Sequence, residues 1–230
     1  MIVRKLEDSF LLIRQHDHGM ISGEFARHWS ADTTPQRPTL FAITNHDVGW
    51  QELDDEVRFN PDTEEPYSFI DYPSEPKLRA YKHGLDQLEV QEPYAAYLCS
   101  MHYSSFVKNS QEATAIEFRE REAGRRDRLE KRLPAEWLEN AEYNFRLLQL
   151  CDDLSLFVCL NEPGENTVSW YKDGFGFMDR GFRPVWRDRQ TLSLEPYPFS
   201  GSFDFTVPYD RVGVGGRTIE KNGYYIRVVS

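Results

Sequence analysis

The sequence predicts a mainly α-helical fold, in which a bundle of helices carries a small antiparallel β appendage. Apolar residues recur with helical spacing over most of residues 14–160. After residue 161, Gly, Pro, aromatic and β-branched residues alternate in the manner of strands. With 230 residues, 40% of them apolar, the chain is expected to form a single domain, 1–230. The helical core is predicted at about 14–160 and the appendage at about 1–13 and 185–230.

The N-terminal residues 2–14 are predicted to form a β-hairpin. Two short arms of β-branched and large apolar residues, IVRK and FLLIR, flank the polar stretch LEDS. We expect this hairpin to join the C-terminal strands in one sheet.

The first predicted helix begins at Asp17, a typical N-cap residue, and ends near Ser30. Ile21 and Phe25 recur at helical spacing on the face that also carries His18. His18 is therefore expected to be buried, and a buried imidazole needs a partner.

The second predicted helix begins at Pro38 and ends at Gly49, which places His46 and Asp47 in its last turn. The carbonyl groups at a helix end carry partial negative charge. Next to an imidazole and a carboxylate, this charge favours a cation.

The middle of the chain is predicted to be a surface excursion followed by four helices. Residues 51–73 carry acidic residues and prolines without a sustained hydrophobic periodicity. The segment is interpreted either as a lid over a site or as a simple connecting loop. The helices are predicted at 75–88, 93–107, 111–133 and 134–160. The last is apolar nearly all round, which indicates a central position.

Charge and composition restrict the class of function. The net charge of −11 disfavours a nucleic-acid polymer as partner, whereas a small anionic substrate or ligand stays compatible because one local cation can reverse the field in a cleft. The three cysteines form no disulfide or metal framework and predict a reduced, cytoplasmic protein. No apolar stretch is long enough to predict membrane insertion, and the sequence leaves homo-oligomerisation open.

The distal candidate for the site is Asp152 in the stretch CDDLS. It shares a helical face with Phe145 and Leu148, and an unpaired buried carboxylate is costly, so a cation is expected beside it. Asp153 follows Gln149 on a more polar face and is expected to be solvated.

The pattern of His18, the His46–Asp47 doublet and Asp152 resembles the HD-domain superfamily of metal-dependent phosphohydrolases over roughly residues 14–160. The resemblance implies an HD-domain-like helical bundle. It also implies that His18, His46, Asp47 and Asp152 are ligands of a divalent ion, with water or a phosphate oxygen in the remaining positions. Manganese, iron, zinc and magnesium are all candidates, and imidazole ligands favour the transition metals.

The chain resembles an uncharacterised bacterial family of unknown function even more closely, over nearly its full length. The shared stretches are QHDHGMISGEFARHW, HDVGWQELDD, YSFIDYP, SMHYSS, NFRLLQLCDDLSL and LEPYPF. This second resemblance implies no activity.

Several assignments stay open at this point. His16 is an alternative to His18. His102 in SMHYSS is a candidate catalytic residue together with Asp47, and it is open whether His102 is a fifth ligand, a ligand of a second metal or a donor to phosphate. The candidate phosphate-binding residues, chosen for their proximity to the ligands in sequence or on flanking helices, are Arg14, Lys82 and Arg146.

These residues predict a metal-dependent phosphohydrolase that acts on a small phosphate ester or a nucleotide. One alternative is a metal- or nucleotide-binding module without turnover. The other is a structural or interaction protein without metal, in which the same side chains only hydrogen-bond to one another.

Overall fold

The computed structural model describes residues 1–230 as an α/β fold. Its eight α-helices are α1 (Gln15–Arg27), α2 (Gln36–Thr44), α3 (Gln51–Asp54), α4 (Ser74–Gln91), α5 (Pro93–Phe106), α6 (Ala113–Glu130), α7 (Ala135–Glu139) and α8 (Ala141–Leu160). Its seven strands are β1 (Ile2–Lys5), β2 (Ser9–Ile13), β3 (Phe175–Phe177), β4 (Arg180–Trp186), β5 (Thr191–Glu195), β6 (Phe203–Gly213) and β7 (Thr218–Val228).

The predicted fold class, a mainly α-helical HD-domain-like bundle with a small β appendage, is wrong. The chain is 47% helical and 22% strand, and all seven strands belong to one mixed sheet, so the protein is neither all-α nor a bundle with a minor addition. The β3–β4 hairpin lies largely before residue 185, where the appendage was expected to begin. Its strands are short, and Phe175 packs edge-on against Phe157 of α8, a tertiary contact that local periodicity does not reveal.

The sheet has the order β1-β2-β6-β7-β5-β4-β3. All neighbours are antiparallel except β5 and β7, which pair in parallel. The N-terminal hairpin joins the C-terminal strands because β2 pairs with β6, where Phe10 lies opposite Val212. The sheet therefore unites both ends of the chain.

The main core lies between the helices and one face of the sheet. The prediction that the last long helical segment is central agrees with α8, of which 14 of 20 residues are buried. The three cysteines are free and buried, as expected for core residues. None of the helices has both the length and the hydropathy that crossing a bilayer requires.

A second, smaller apolar cluster lies on the other face of the sheet. Phe10 and Leu12 of β2 are buried there, and Val57 and Phe59 of the surface excursion pack over them. Burying one such large side chain stabilises the fold by about 1.5–3 kcal/mol. This part of the excursion thus covers the sheet.

Candidate metal centre

The His46–Asp47 doublet lies in a turn, not in the last turn of a helix as predicted. The helix α2 ends at Thr44, and Asn45 leaves the helical region with φ −113° and ψ 14°. The side-chain amide of Asn45 donates to the Phe41 carbonyl at 2.9 Å, a local bond that competes with helix continuation. The doublet therefore connects α2 to a short 3₁₀ turn at Val48–Trp50.

Close glycine contacts hold this turn from two sides. A Cβ atom on Gly19 of α1 would lie 3.0 Å from the Thr44 carbonyl oxygen. A Cβ atom on Gly84 of α4 would lie 2.7 Å from the Cα atom of Gly49. At Gly84 the approach is closer than a residue with a side chain allows, and at Gly19 a side chain would require the backbone to shift slightly. These close contacts help to position His46 and Asp47.

The structure brings together the four side chains that were predicted as metal ligands. His18 Nε2 lies 3.1 Å from His46 Nε2. His18 Nε2 also lies 3.3 Å from Asp47 Oδ2 and 3.2 Å from Asp152 Oδ1. His46 Nε2 lies 3.7 Å from Asp47 Oδ2 and 3.4 Å from Asp152 Oδ1. All four residues are buried.

The donor set fits a single divalent ion. Ligands about 2.1 Å from a common centre stand about 3.0 Å apart in octahedral coordination and about 3.4 Å apart in tetrahedral coordination. The donor atoms of His18, His46 and Asp152 all lie within 4.8 Å of one another, and this group could hold a metal ion. Asp47 Oδ2 adjoins the group next to the two imidazoles.

The outer nitrogen of each imidazole is engaged, which leaves Nε2 facing the cluster. His46 Nδ1 lies 2.8 Å from the Ile43 carbonyl, which can only accept, so Nδ1 carries a proton, and in the neutral ring Nε2 has a lone pair. His18 Nδ1 contacts the hydroxyl of Ser155. The Ser155 hydroxyl also lies 2.9 Å from the Asp152 carbonyl, to which it can only donate. With this donation made, Ser155 accepts from His18 Nδ1, and the neutral His18 ring has its lone pair on Nε2.

The electrostatics of the cluster favour a positive charge at its centre. Burial alone would lower the pKa of His46, but Asp47 and Asp152 raise it to about 9. Burial also opposes the charged form of His18, yet contacts with the same two carboxylates raise its pKa. Burial alone would raise the pKa of Asp152, but His102, His18 and His46 hold it well below its usual range. A proton or a metal ion can supply the charge.

His102 is a buried imidazole without a hydrogen bond. Its Nε2 atom lies 3.4 Å from Asp152 Oδ2, but the contact is not aligned, and neither ring nitrogen has a hydrogen-bond partner. The ring lies edge-on to His46, with 5.3 Å between centroids, and to Phe106, with 4.5 Å. Buried polar groups normally have hydrogen-bond partners, so the unpartnered ring nitrogens of His102 beside the cluster indicate that a bound molecule or ion supplies the partner.

A cavity of about 220 Å³ adjoins the cluster, and Asp47 and Asp152 form part of its wall. The other lining residues are mostly apolar or aromatic: Gln15, Trp50, Phe69, Ile70, Lys77, Tyr81, Phe106, Val107 and Leu156. Lys77 is the single basic residue among them. The Phe69 backbone is bonded on both sides, since its N–H donates to the Met1 carbonyl at 2.8 Å and its carbonyl accepts from Lys77 Nζ at 3.2 Å.

The three predicted phosphate-binding residues do not line this cavity. Arg14 lines a separate cavity of about 520 Å³. Lys82 and Arg146 pair along their own helices with Asp86 at 3.1 Å and Glu142 at 2.8 Å. Arg14 also has a carboxylate neighbour, Asp55, at 3.8 Å.

The structure places His16 outside the cluster and Lys77 in the wall of the cavity. His18, not His16, lies in the cluster, and His16 Nδ1 is buried elsewhere without a partner. No sequence signal distinguishes Lys77, which lies 30 positions after Asp47 on a helix of mixed charge. Only the packing of α4 brings it to the cavity.

The chain is thus an α/β protein with a buried His–His–Asp group that could hold a metal ion. Residues 1–213 match the family described as "Protein of unknown function (DUF3891)", and the chain belongs to this family. The predicted membership of an uncharacterised family is confirmed. No curated protein and no solved structure matches the chain.

Proposed function

We propose that this protein is a metal-dependent phosphohydrolase that acts on a small phosphate ester, a class that includes nucleotides. The observation that carries the proposal is the convergence of His18, His46, Asp47 and Asp152 in one buried cluster beside a cavity. Asp47, Asp152 and Lys77 form part of the cavity wall. The order of the four residues along the chain resembles that of HD-domain phosphohydrolases, which supports the same chemistry on a different fold.

Two imidazoles and two carboxylates suit Mn²⁺, Fe²⁺ or Zn²⁺ better than Mg²⁺, which prefers oxygen ligands. When held by these residues, a divalent ion would lower the pKa of a bound water and polarise a phosphoryl oxygen. The two carboxylates balance its charge. Ser155 and Ile43 orient the two imidazoles, and such outer contacts usually matter for metal affinity.

The remaining chemistry is assigned to Asp47 and His102. Water attacks phosphorus, the ester P–O bond breaks, and an alcohol and inorganic phosphate are released. Asp47 accepts the proton of the attacking water and returns it to the leaving oxygen. His102 donates its unpartnered N–H to a phosphate oxygen, which stabilises the charge that develops during the reaction.

The test is elemental analysis of protein purified without chelator, followed by phosphate release from a panel of small phosphate esters. We expect about one transition-metal ion per chain, and turnover that is lost on chelation and restored by Mn²⁺. Bound metal without phosphate release favours a binding module without turnover. Protein without any transition metal favours a structural role for the cluster and overturns the proposal.

A further inference from the structure

Lys77 is a cation without a carboxylate partner in the wall of the cavity. It is half-buried on the first turn of α4, and its Nζ atom donates to the Phe69 carbonyl. No carboxylate oxygen lies within 4.0 Å of Nζ, whereas Lys82 of the same helix has Asp86. An ammonium group has three N–H donors, so donors of Lys77 stay available to an anion.

The charges around the cavity suit one phosphate group. The carboxylates of Asp47 and Asp152 offset one divalent ion, and Lys77 then leaves a single positive charge. A phosphate monoester carries about −1.5 to −2 at pH 7. Nucleoside di- and triphosphates carry more negative charge than a phosphate monoester. The cavity wall has no basic residue besides Lys77 to offset the additional charge.

The size and lining of the cavity suit a compact apolar body. The cavity measures about 220 Å³. Ligand pockets for larger molecules measure about 300–1,000 Å³. Trp50, Phe69, Tyr81 and Phe106 supply aromatic surface, on which a flat apolar group packs well.

From these observations we propose that the cavity binds a compound with one phosphate group on a compact apolar body, such as a single ring. Lys77 binds the phosphate together with the candidate metal centre. The inference rests on the proposed function and narrows its substrate class, because a cavity of about 220 Å³ lies below the range of about 300–1,000 Å³ that is typical of pockets for drug-sized ligands.

The experiment uses the Mn²⁺-loaded protein and two phosphonates, whose C–P bond resists hydrolysis. Isothermal titration calorimetry compares the affinities of the protein for phenylphosphonate and for the phosphonate analogue of AMP. The metal content of every preparation is also measured. We expect phenylphosphonate to bind at least about tenfold more tightly than the AMP analogue. We expect Lys77→Gln to weaken phenylphosphonate binding about tenfold, because one charge-assisted contact is lost, and to leave the metal content unchanged.

Two variants serve as controls. Lys77→Arg keeps the charge and should bind phenylphosphonate within about threefold of the unmodified protein. Lys82→Gln removes a cation of the same helix that lies outside the cavity and should have no effect.

Equal or tighter binding of the AMP analogue overturns the inferred substrate class. Undiminished phenylphosphonate binding by Lys77→Gln, or loss of metal from this variant, overturns the role of Lys77. Absence of metal from the unmodified protein is a different result, since it overturns the proposed function itself.

Discussion

The Nε2 atoms of His18 and His46 lie 3.1 Å apart, and the two rings are nearly perpendicular, at 85°. The hydrogen bond from His46 Nδ1 to Ile43 means that the neutral ring has its lone pair on His46 Nε2. If His18 Nε2 is also unprotonated, the two lone pairs repel each other unless a proton or a metal ion lies between them. The central question about the cluster is therefore which cation it holds in the cell.

Substitution of the doublet should remove the metal. We expect His46→Ala and Asp47→Ala each to abolish metal binding. His46→Ala removes a member of the His18–His46–Asp152 group, and Asp47→Ala removes one of the two carboxylates that balance the charge of the ion. Mass-spectrometric elemental analysis measures the content. The matched control is His83→Ala, since His83 is exposed and pairs with Glu52 away from the cluster. Full metal occupancy in Asp47→Ala contradicts the ligand assignment.

Substitution of His102 should separate metal binding from turnover. We expect His102→Ala to keep its metal but to release phosphate at least about a hundredfold more slowly, because a donor to the reacting phosphate is lost. Metal content and initial rates are measured on the same preparation. Loss of metal from this variant would instead make His102 a ligand.

The metal should stabilise the protein more as pH rises. The pKa of His46 in the folded, metal-free protein is about 9, above its ordinary value of 6.5. The stabilisation from its proton is thus fully present below pH 6.5 and is lost as pH rises towards 9. A metal ion replaces this proton, so its apparent affinity should increase over the same window.

Thermal unfolding of metal-free and metal-loaded protein at pH 6, 7, 8 and 9 checks this expectation. The difference in Tm between the two forms should grow with pH. A difference that shrinks from pH 6 to pH 9 would show that no proton is displaced from the cluster.

The close contact between Gly84 and Gly49 should be sensitive to a single methyl group. We expect Gly84→Ala to lower the free energy of unfolding by about 1–3 kcal/mol, because the new Cβ meets backbone atoms that cannot move aside. Urea unfolding measures the change. Gly124→Ala is the matched control in α6, where a Cβ meets nothing within 4 Å. This control should be neutral or stabilising by up to about 1 kcal/mol.

The sequence was informative where a polar residue interrupts an apolar helical face. His18 and Asp152 were recognised in this way, and both are buried in the cluster. The doublet was also found, although its turn was taken for helix because the local bond of Asn45 ends α2 early. Such a bond is a small local effect that periodicity does not register.

The full extent of the sheet and the role of Lys77 do not follow from the sequence, for a different reason. Short strands such as β3 are stabilised mainly by contacts with residues far away in the sequence. With three residues, β3 is too short to show an alternation of apolar and polar residues. Lys77 becomes relevant only because Phe69, Tyr81 and Phe106 pack around the same cavity. Local patterns identify which residues are buried, but they do not reveal which segments share a wall.

The two hydrogen bonds of the Phe69 backbone restrict how a molecule can enter the cavity. The Phe69 N–H donates to the carbonyl of Met1, which precedes β1, and the Phe69 carbonyl accepts from Lys77 of α4. A hinged opening of this segment would have to break both. Ile70 and Phe106 also line the cavity and are 58% and 53% exposed, and exposed side chains change rotamer within picoseconds to nanoseconds. Rotation of these two side chains would widen the entrance while both hydrogen bonds stay intact.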